Sequence, residues 1–298
     1  MNYRPIGTSD LRVSEISLGC MSLGTEAASF ERMVQQALDL GINYFDTADL
    51  YDKGLNERLL GQALKGRRQQ VVISTKVGNQ WRPDGSGWDW NPSKAYILQA
   101  VKQSLQRLQT DYIDLYMLHG GTLEDPIEET IEAFESLKQA GHIRYYGISS
   151  IRPNVIRQWV KHSRMVSVMM QYSLLDRRPE ESCLDLLHSR QVSVLSRGTV
   201  AKGLLAGKPP KAYLGYSAEE VARVQHRLHE LAGPGRSPAH LAIQYVLKHP
   251  AVASAVLGAS KPAQVAENAA ASTSSGLSAE EWQLLHGLLP PKVYEQHR

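Results

Sequence analysis

Over 298 residues, 33 lysines and arginines stand against 30 aspartates and glutamates, and with no dense basic stripe in the chain this formal charge of +3 excludes a nucleic-acid partner. A hydrophobic share of 42% and a charged share of 21% rule out a disordered or fibrous chain and leave room for a large core. Met1 to Leu11 lacks a secretory leader's apolar stretch, no apolar run is long enough for a membrane helix, and Cys20 and Cys183 offer neither a disulfide framework nor a metal-ligand spacing, so a cytoplasmic protein is expected.

In chain order, Tyr3 to Ile6 and Leu11 to Val13 flank Gly7-Thr8-Ser9-Asp10 and predict a β-hairpin placed to plug one end of the fold. Eight short apolar, largely β-branched or aromatic runs follow: Glu15 to Gly19, Tyr44 to Thr47, Val71 to Thr75, Ile113 to Leu118, Arg144 to Ile148, Val166 to Met170, Val192 to Leu195 and Ala253 to Leu257. Segments of helical periodicity separate them. Several carry start signals: Ser93 before Lys94 to Leu108, Asp125-Pro126 at the head of Pro126 to Ala140 with Gly141 as the stop, Arg152-Pro153, and Ser237-Pro238 opening Pro238 to His249. The tail from Ser278 to Leu289 is apolar at helical spacing and predicts a helix outside the main body. Eight βα units predict an α/β class, a (β/α)8 TIM barrel with an N-terminal β-hairpin and a C-terminal extra helix, as one domain over residues 1–298. Gly78 to Pro92 and Lys202 to Tyr216 are long for barrel connections. Both follow a strand, which puts both loops on the C-terminal face where barrels build active sites.

Asp46, Lys76 and His119 each fall at the end of a different predicted strand, and Tyr51 lies in the loop just after Asp46. Four polar groups thus converge on one face. Gly41-Ile42-Asn43-Tyr44-Phe45-Asp46-Thr47-Ala48-Asp49-Leu50-Tyr51, the Asn56-Glu57 pair, and Asp111-Tyr112-Ile113-Asp114-Leu115-Tyr116-Met117-Leu118-His119 closely resemble the aldo-keto reductases, and the likeness runs from Gly7-Thr8-Ser9 to Glu267-Asn268. The resemblance implies reduction of an aldehyde or ketone to an alcohol by hydride transfer, with Asp46, Tyr51, Lys76 and His119 as the catalytic tetrad. Tyr51 would be the general acid, Lys76 would favour its phenolate form, Asp46 would keep the lysine charged, and His119 would orient the carbonyl.

The resemblance also implies a nicotinamide cofactor, bound without a Gly-x-Gly-x-x-Gly turn, which this chain lacks. The family's binding positions correspond to Gly19, Cys20, Met21 and Asp46; to Ser149, Ser150 and Gln171 at the carboxamide; to Ser196, Arg197, Gly198, Val200, Lys202, Gly203 and Leu204 along the nicotinamide and pyrophosphate; and to Gly258, Ser260, Lys261, Gln264, Glu267 and Asn268 at the adenosine end. Three of these depart from the family. Ser150 replaces an asparagine, Gln264 an arginine found in many relatives, and Arg197 an aromatic residue that stacks on the nicotinamide, a role its planar guanidinium can take. Ser260 and Lys261 suit a 2′-phosphate, so NADPH/NADP is expected, with NADH bound more weakly.

Trp81, Trp88 and Trp90 in the first long loop are expected to wall a pocket for a small-molecule carbonyl substrate, and no partner protein is implied, so a monomer is expected. Two other readings of the same residues stay open. One is a cofactor-binding regulatory protein on the same barrel, and the other an aldolase-type barrel with Lys76 as a Schiff-base nucleophile.

Overall fold

The β-branched and aromatic runs become strands because each is walled on both sides, by helices outside and by packed side chains inside. The computed structural model describes residues 1–298. It begins with a hairpin, β1 (Tyr3–Pro5) against β2 (Arg12–Ser14), in which Tyr3 faces Ser14. There follow β3 (Ile16–Gly19), α1 (Ala27–Asp39), β4 (Tyr44–Asp46), α2 (Leu55–Ala63), β5 (Val72–Val77), a second hairpin of β6 (Asn79–Trp81) and β7 (Trp88–Trp90), α3 (Lys94–Leu108) and β8 (Ile113–Leu118). The second half runs through α4 (Ile127–Gln139), β9 (Ile143–Ser149), α5 (Pro153–His162), β10 (Ser167–Gln171), α6 (Cys183–Ser189), β11 (Ser193–Arg197), α7 (Ala218–Leu231), α8 (Pro238–Leu247), β12 (Val252–Gly258), α9 (Pro262–Ala270) and α10 (Ala279–Gly287).

Eight strands, β3, β4, β5, β8, β9, β10, β11 and β12, close into a parallel barrel in that order, with β12 beside β3. This is the (β/α)8 architecture expected from the eight apolar runs, and the extra C-terminal helix is α10. No helix is long and apolar enough to cross a membrane. Period-two alternation sorts the strand side chains. On β8, Leu115 and Met117 join the barrel interior, whereas Tyr116 and Leu118 pack with the helices. The interior residues Tyr44, Val72, Leu115, Val166, Met169 and Leu195 cluster with Ile6, Leu11 and Val13, so the first hairpin plugs the N-terminal end as expected. That leaves the opposite, C-terminal end as the open one. Gly147 in β9 answers to space. A Cβ there would come within 2.4 Å of the Ser167 carbonyl oxygen on the adjacent strand, so only glycine fits.

Side-chain caps account for the serine-led helix starts, whereas α4 and α5 begin at Pro126 and Arg152 without one. Ser93, Ser237 and Ser278 each accept a hydrogen bond from an amide of the first turn. Both long loops contain more order than the sequence suggested. Gly78 to Pro92 holds the β6–β7 hairpin, and Lys202 to Tyr216 takes in most of a 3₁₀ turn at Ala201–Ala206 and ends in an isolated bridge of Tyr213 with Tyr216.

Candidate active site

The strands end on the open face, and their last residues bring three of the four tetrad side chains together. Asp46 closes β4 and Lys76 is the penultimate residue of β5. His119 follows β8 directly, its amide donating to the Val77 carbonyl at 2.8 Å. Tyr51 is brought in by the turn after β4, where its amide donates to the Ala48 carbonyl at 3.2 Å. Just beyond it, Asp52 and Lys53 hold the left-handed region at φ 49° and 55°, a conformation that non-glycine residues keep only when their surroundings impose it.

Lys76 is 1% exposed and its ammonium is fully engaged. It donates to both oxygens of Asp46 at 2.8 and 2.7 Å and to the Thr47 carbonyl at 2.8 Å, and points a longer 3.5 Å contact at the Tyr51 hydroxyl. Burial opposes the lysine's charge, but the Asp46 carboxylate and the Tyr51 oxygen outweigh it and hold the group above its ordinary value. Asp46 is fixed in turn by the Ser74 hydroxyl, which donates at 2.6 Å and itself accepts from the Tyr44 hydroxyl at 2.8 Å. The His119 ring lies edge-on to Tyr51 with centroids 5.9 Å apart. Burial, then the charges of Lys76 and Arg197, push its imidazole down to about 3, so it is a neutral hydrogen-bonding group at any physiological pH. Its Nδ1 is buried without a hydrogen-bond partner.

Around this centre the expected cofactor positions form an arc along the ends of β3, β9, β10, β11 and β12. Gln171 and Arg197 sit side by side in register, and Arg197 Nη1 donates to Gln171 Oε1 at 3.2 Å while Gln171 Nε2 donates to the Tyr213 hydroxyl at 3.2 Å. Gly198, Val200, Gly203 and Leu204 follow in the turn after β11, where Lys202 is exposed. Gly258 ends β12, and Ser260 and Lys261 lead into α9 with Ser260 Oγ donating to Gln264 Oε1 at 3.1 Å. Arg197, Lys202 and Lys261 each lack a carboxylate partner, so three cations along this arc have no counter-ion. Other positions are occupied with local work. Ser196 is fully buried against Thr199 and the Ser254 carbonyl, and Ser150 accepts from the Arg152 amide as a turn residue. Glu267 accepts from Ser237, Asn268 donates to the Gly258 carbonyl, Cys20 is buried, and Met21 is 62% exposed.

The tryptophans divide. Trp81 Nε1 donates to the Leu50 carbonyl at 3.3 Å, next to the Tyr51 turn, and Trp90 Nε1 donates to Asp125 at 2.8 Å with its ring over Gly78 and Gly120. Trp88 is 46% exposed on the hairpin's outer side. Sequence reasoning missed Ser74 and Tyr213. Ser74 was findable, since it sits two residues before Lys76 and shares its strand face. Nothing in the Gly- and Pro-rich stretch around Tyr213 signals a contact with Gln171.

Comparison with known proteins agrees with this geometry. The Aldo/keto reductase family pattern matches residues 15–290. An uncharacterized oxidoreductase of Bacillus subtilis is 53% identical with both chains fully covered, and the NADH-specific methylglyoxal reductase of Escherichia coli is 32% identical over 91% of this chain and 93% of its own. The holo form of the aldo-keto reductase AKR11C1 from Bacillus halodurans superposes with a TM-score of 0.95 at 55% identity, covering 100% of this chain and 99% of that one. With its barrel, its strand-end constellation and a pattern that spans nearly its whole length, the chain belongs to the aldo/keto reductase family.

Proposed function

We propose that this protein reduces the carbonyl group of a small aldehyde or ketone to an alcohol, with NADPH as the preferred reductant and Tyr51 as the proton donor. The observation that carries the reading is the buried Lys76 ammonium, bonded to three oxygens and aimed at the Tyr51 hydroxyl beside a neutral His119. The nicotinamide supplies the hydride when bound. The residues along the arc fit such a group: Arg197, Lys202 and Lys261 are cations without counter-ions for an anionic dinucleotide, and Gln171 and Ser149 offer polar groups beside the tetrad.

Negative charge that builds on the carbonyl oxygen as hydride arrives is met by two groups of the chain. His119 hydrogen-bonds the oxygen from one side and so orients it, and Tyr51 donates its proton from the other. Lys76, held charged by Asp46, stabilises the charge that the phenol oxygen then takes on. The same ion pair weighs against Lys76 as a Schiff-base nucleophile, which needs a neutral amine. Trp81, beside the Tyr51 turn, supplies an apolar wall for the substrate.

Preference for NADPH rests on Lys261, exposed and unpaired at the head of α9 beside Ser260. The 32% identical Escherichia coli relative is named for NADH, so the preference belongs to such residues rather than to the fold. The deciding experiment follows NADPH and NADH oxidation over a panel of aldehydes, ketones and dicarbonyls. Turnover with NADPH on at least one class is expected, and tight cofactor binding without turnover on any would point to a regulatory protein instead.

A further inference from the structure

Three carboxyl groups and two cations lie close together around the turn that carries Tyr51, and both cations are taken: Lys76 bonds Asp46 at 2.7 Å and Arg107 bonds Glu57 at 2.6 Å. Asp49 is the carboxyl left over. It is 7% exposed, and its Oδ1 is buried without a hydrogen-bond partner. The titratable groups that face it come from every element packed on the turn: Glu57 from α2, Tyr96 and Arg107 from α3, Lys76 from β5 and Tyr116 from β8. A buried carboxylate with no cation of its own takes up a proton instead of keeping its charge.

We infer that Asp49 is a positioning residue carried as a neutral carboxylic acid, and that its neutrality keeps the turn from Thr47 to Tyr51 seated against the barrel wall. The Thr47 end of the turn is tied firmly to β5, its amide to the Ser74 carbonyl at 2.9 Å and its carbonyl to the Lys76 ammonium at 2.8 Å; beyond it the bonds lengthen, to 3.4 Å from the Asp49 amide to the Lys76 carbonyl and 3.3 Å from Trp81 Nε1 to the Leu50 carbonyl, before the chain enters the left-handed pair Asp52 and Lys53. Burial first, and then the Glu57 carboxylate, push the Asp49 acid well above the ordinary carboxylate range against the opposing pull of Arg107, the Leu50 amide and Lys76. Because the folded chain holds this proton more tightly than the unfolded one, the stabilisation is complete in acid and declines as pH rises from the ordinary carboxylate value toward the folded one. Once ionised, Asp49 faces Glu57 with no free cation, and the turn is driven off the wall with Tyr51 on it.

The inference rests on the proposed role of Tyr51 only for its effect on turnover, so two kinds of measurement test it. Infrared difference spectra between wild type and Asp49→Asn at neutral pH are expected to contain the carbonyl band of a protonated acid, and a carboxylate band in its place would overturn the inference. If Asp49→Asn does not fold, the carboxyl resonances of ¹³C-aspartate in the wild-type protein serve instead: one that stays protonated through neutral pH supports the assignment, and a full set titrating in the ordinary range defeats it. In turnover, wild-type kcat is expected to fall about tenfold per pH unit above the Asp49 transition, and Asp49→Asn, which cannot ionise, moves that fall to higher pH with little change in KM. An alkaline limb that stays in place in the variant removes the positioning role. Neither spectroscopic measurement depends on activity, so a chain that reduces no carbonyl would refute the proposed function and still leave the state of Asp49 decided.

Discussion

At the scale of single residues the site is a set of mutually enforced charges. An ammonium as deeply buried as Lys76 survives only because Asp46 takes two of its hydrogens, and removing either partner would leave an unpaired buried charge, a loss of about 3–5 kcal/mol. Those residues were legible in the sequence because each stands at a strand end in a motif, and strand ends on one face of a barrel must converge. The supporting hydroxyl of Ser74 was not noticed, since a serine in a strand reads as ordinary. Lys261 carries the residue-scale prediction. As an exposed cation without a partner it has no structural bond to lose, so Lys261→Ala should weaken NADPH by about ten- to a hundredfold and NADH hardly at all. Titrations of both cofactors check this, and equal losses for the two would end the 2′-phosphate assignment.

Elements differ in how plainly their sequences announce them. Helices with Ser or Asp-Pro at their start are delimited within a residue or two: Lys94 to Leu108 as expected, and Ile127–Gln139 against an expected Pro126 to Ala140. The β6–β7 hairpin was hidden by its glycines and prolines, which mark a loop equally well, and its pairing of Trp81 with Trp88 is set by tertiary docking of Trp81 and Trp90 more than by turn chemistry. Helix α7 was passed over although Ser217 and Glu220 form a capping box in which Ser217 Oγ accepts from the Glu220 amide and Glu220 accepts from the Ser217 amide. Ser217→Ala should therefore cost about 1 kcal/mol of stability, read as a lower urea midpoint with an unchanged slope and unchanged KM. A variant as stable as wild type would show that this exposed cap contributes nothing.

For the whole molecule, the barrel was recoverable because eight apolar runs separated by segments of helical periodicity admit few other closures, and because the first hairpin's Ile6, Leu11 and Val13 needed a buried place that only the barrel floor supplies. What the chain could not disclose is which strand-end side chains are spent on the scaffold. Ser196 and Ser150, expected at the cofactor, also bond within the barrel and its turn, and Arg197 and Gln171 hold each other across β10 and β11. With one end plugged, the open end carries Asp46, Tyr51, Lys76 and His119, and the proposed proton donor there is Tyr51. The direct measurement is steady-state kinetics of Tyr51→Phe on the best carbonyl substrate, alongside titration of the same protein with NADPH. Loss of the phenol's proton should lower kcat by about 10² to 10⁴ while cofactor affinity stays within a few-fold of wild type. A variant that turns over at the wild-type rate would contradict the claim.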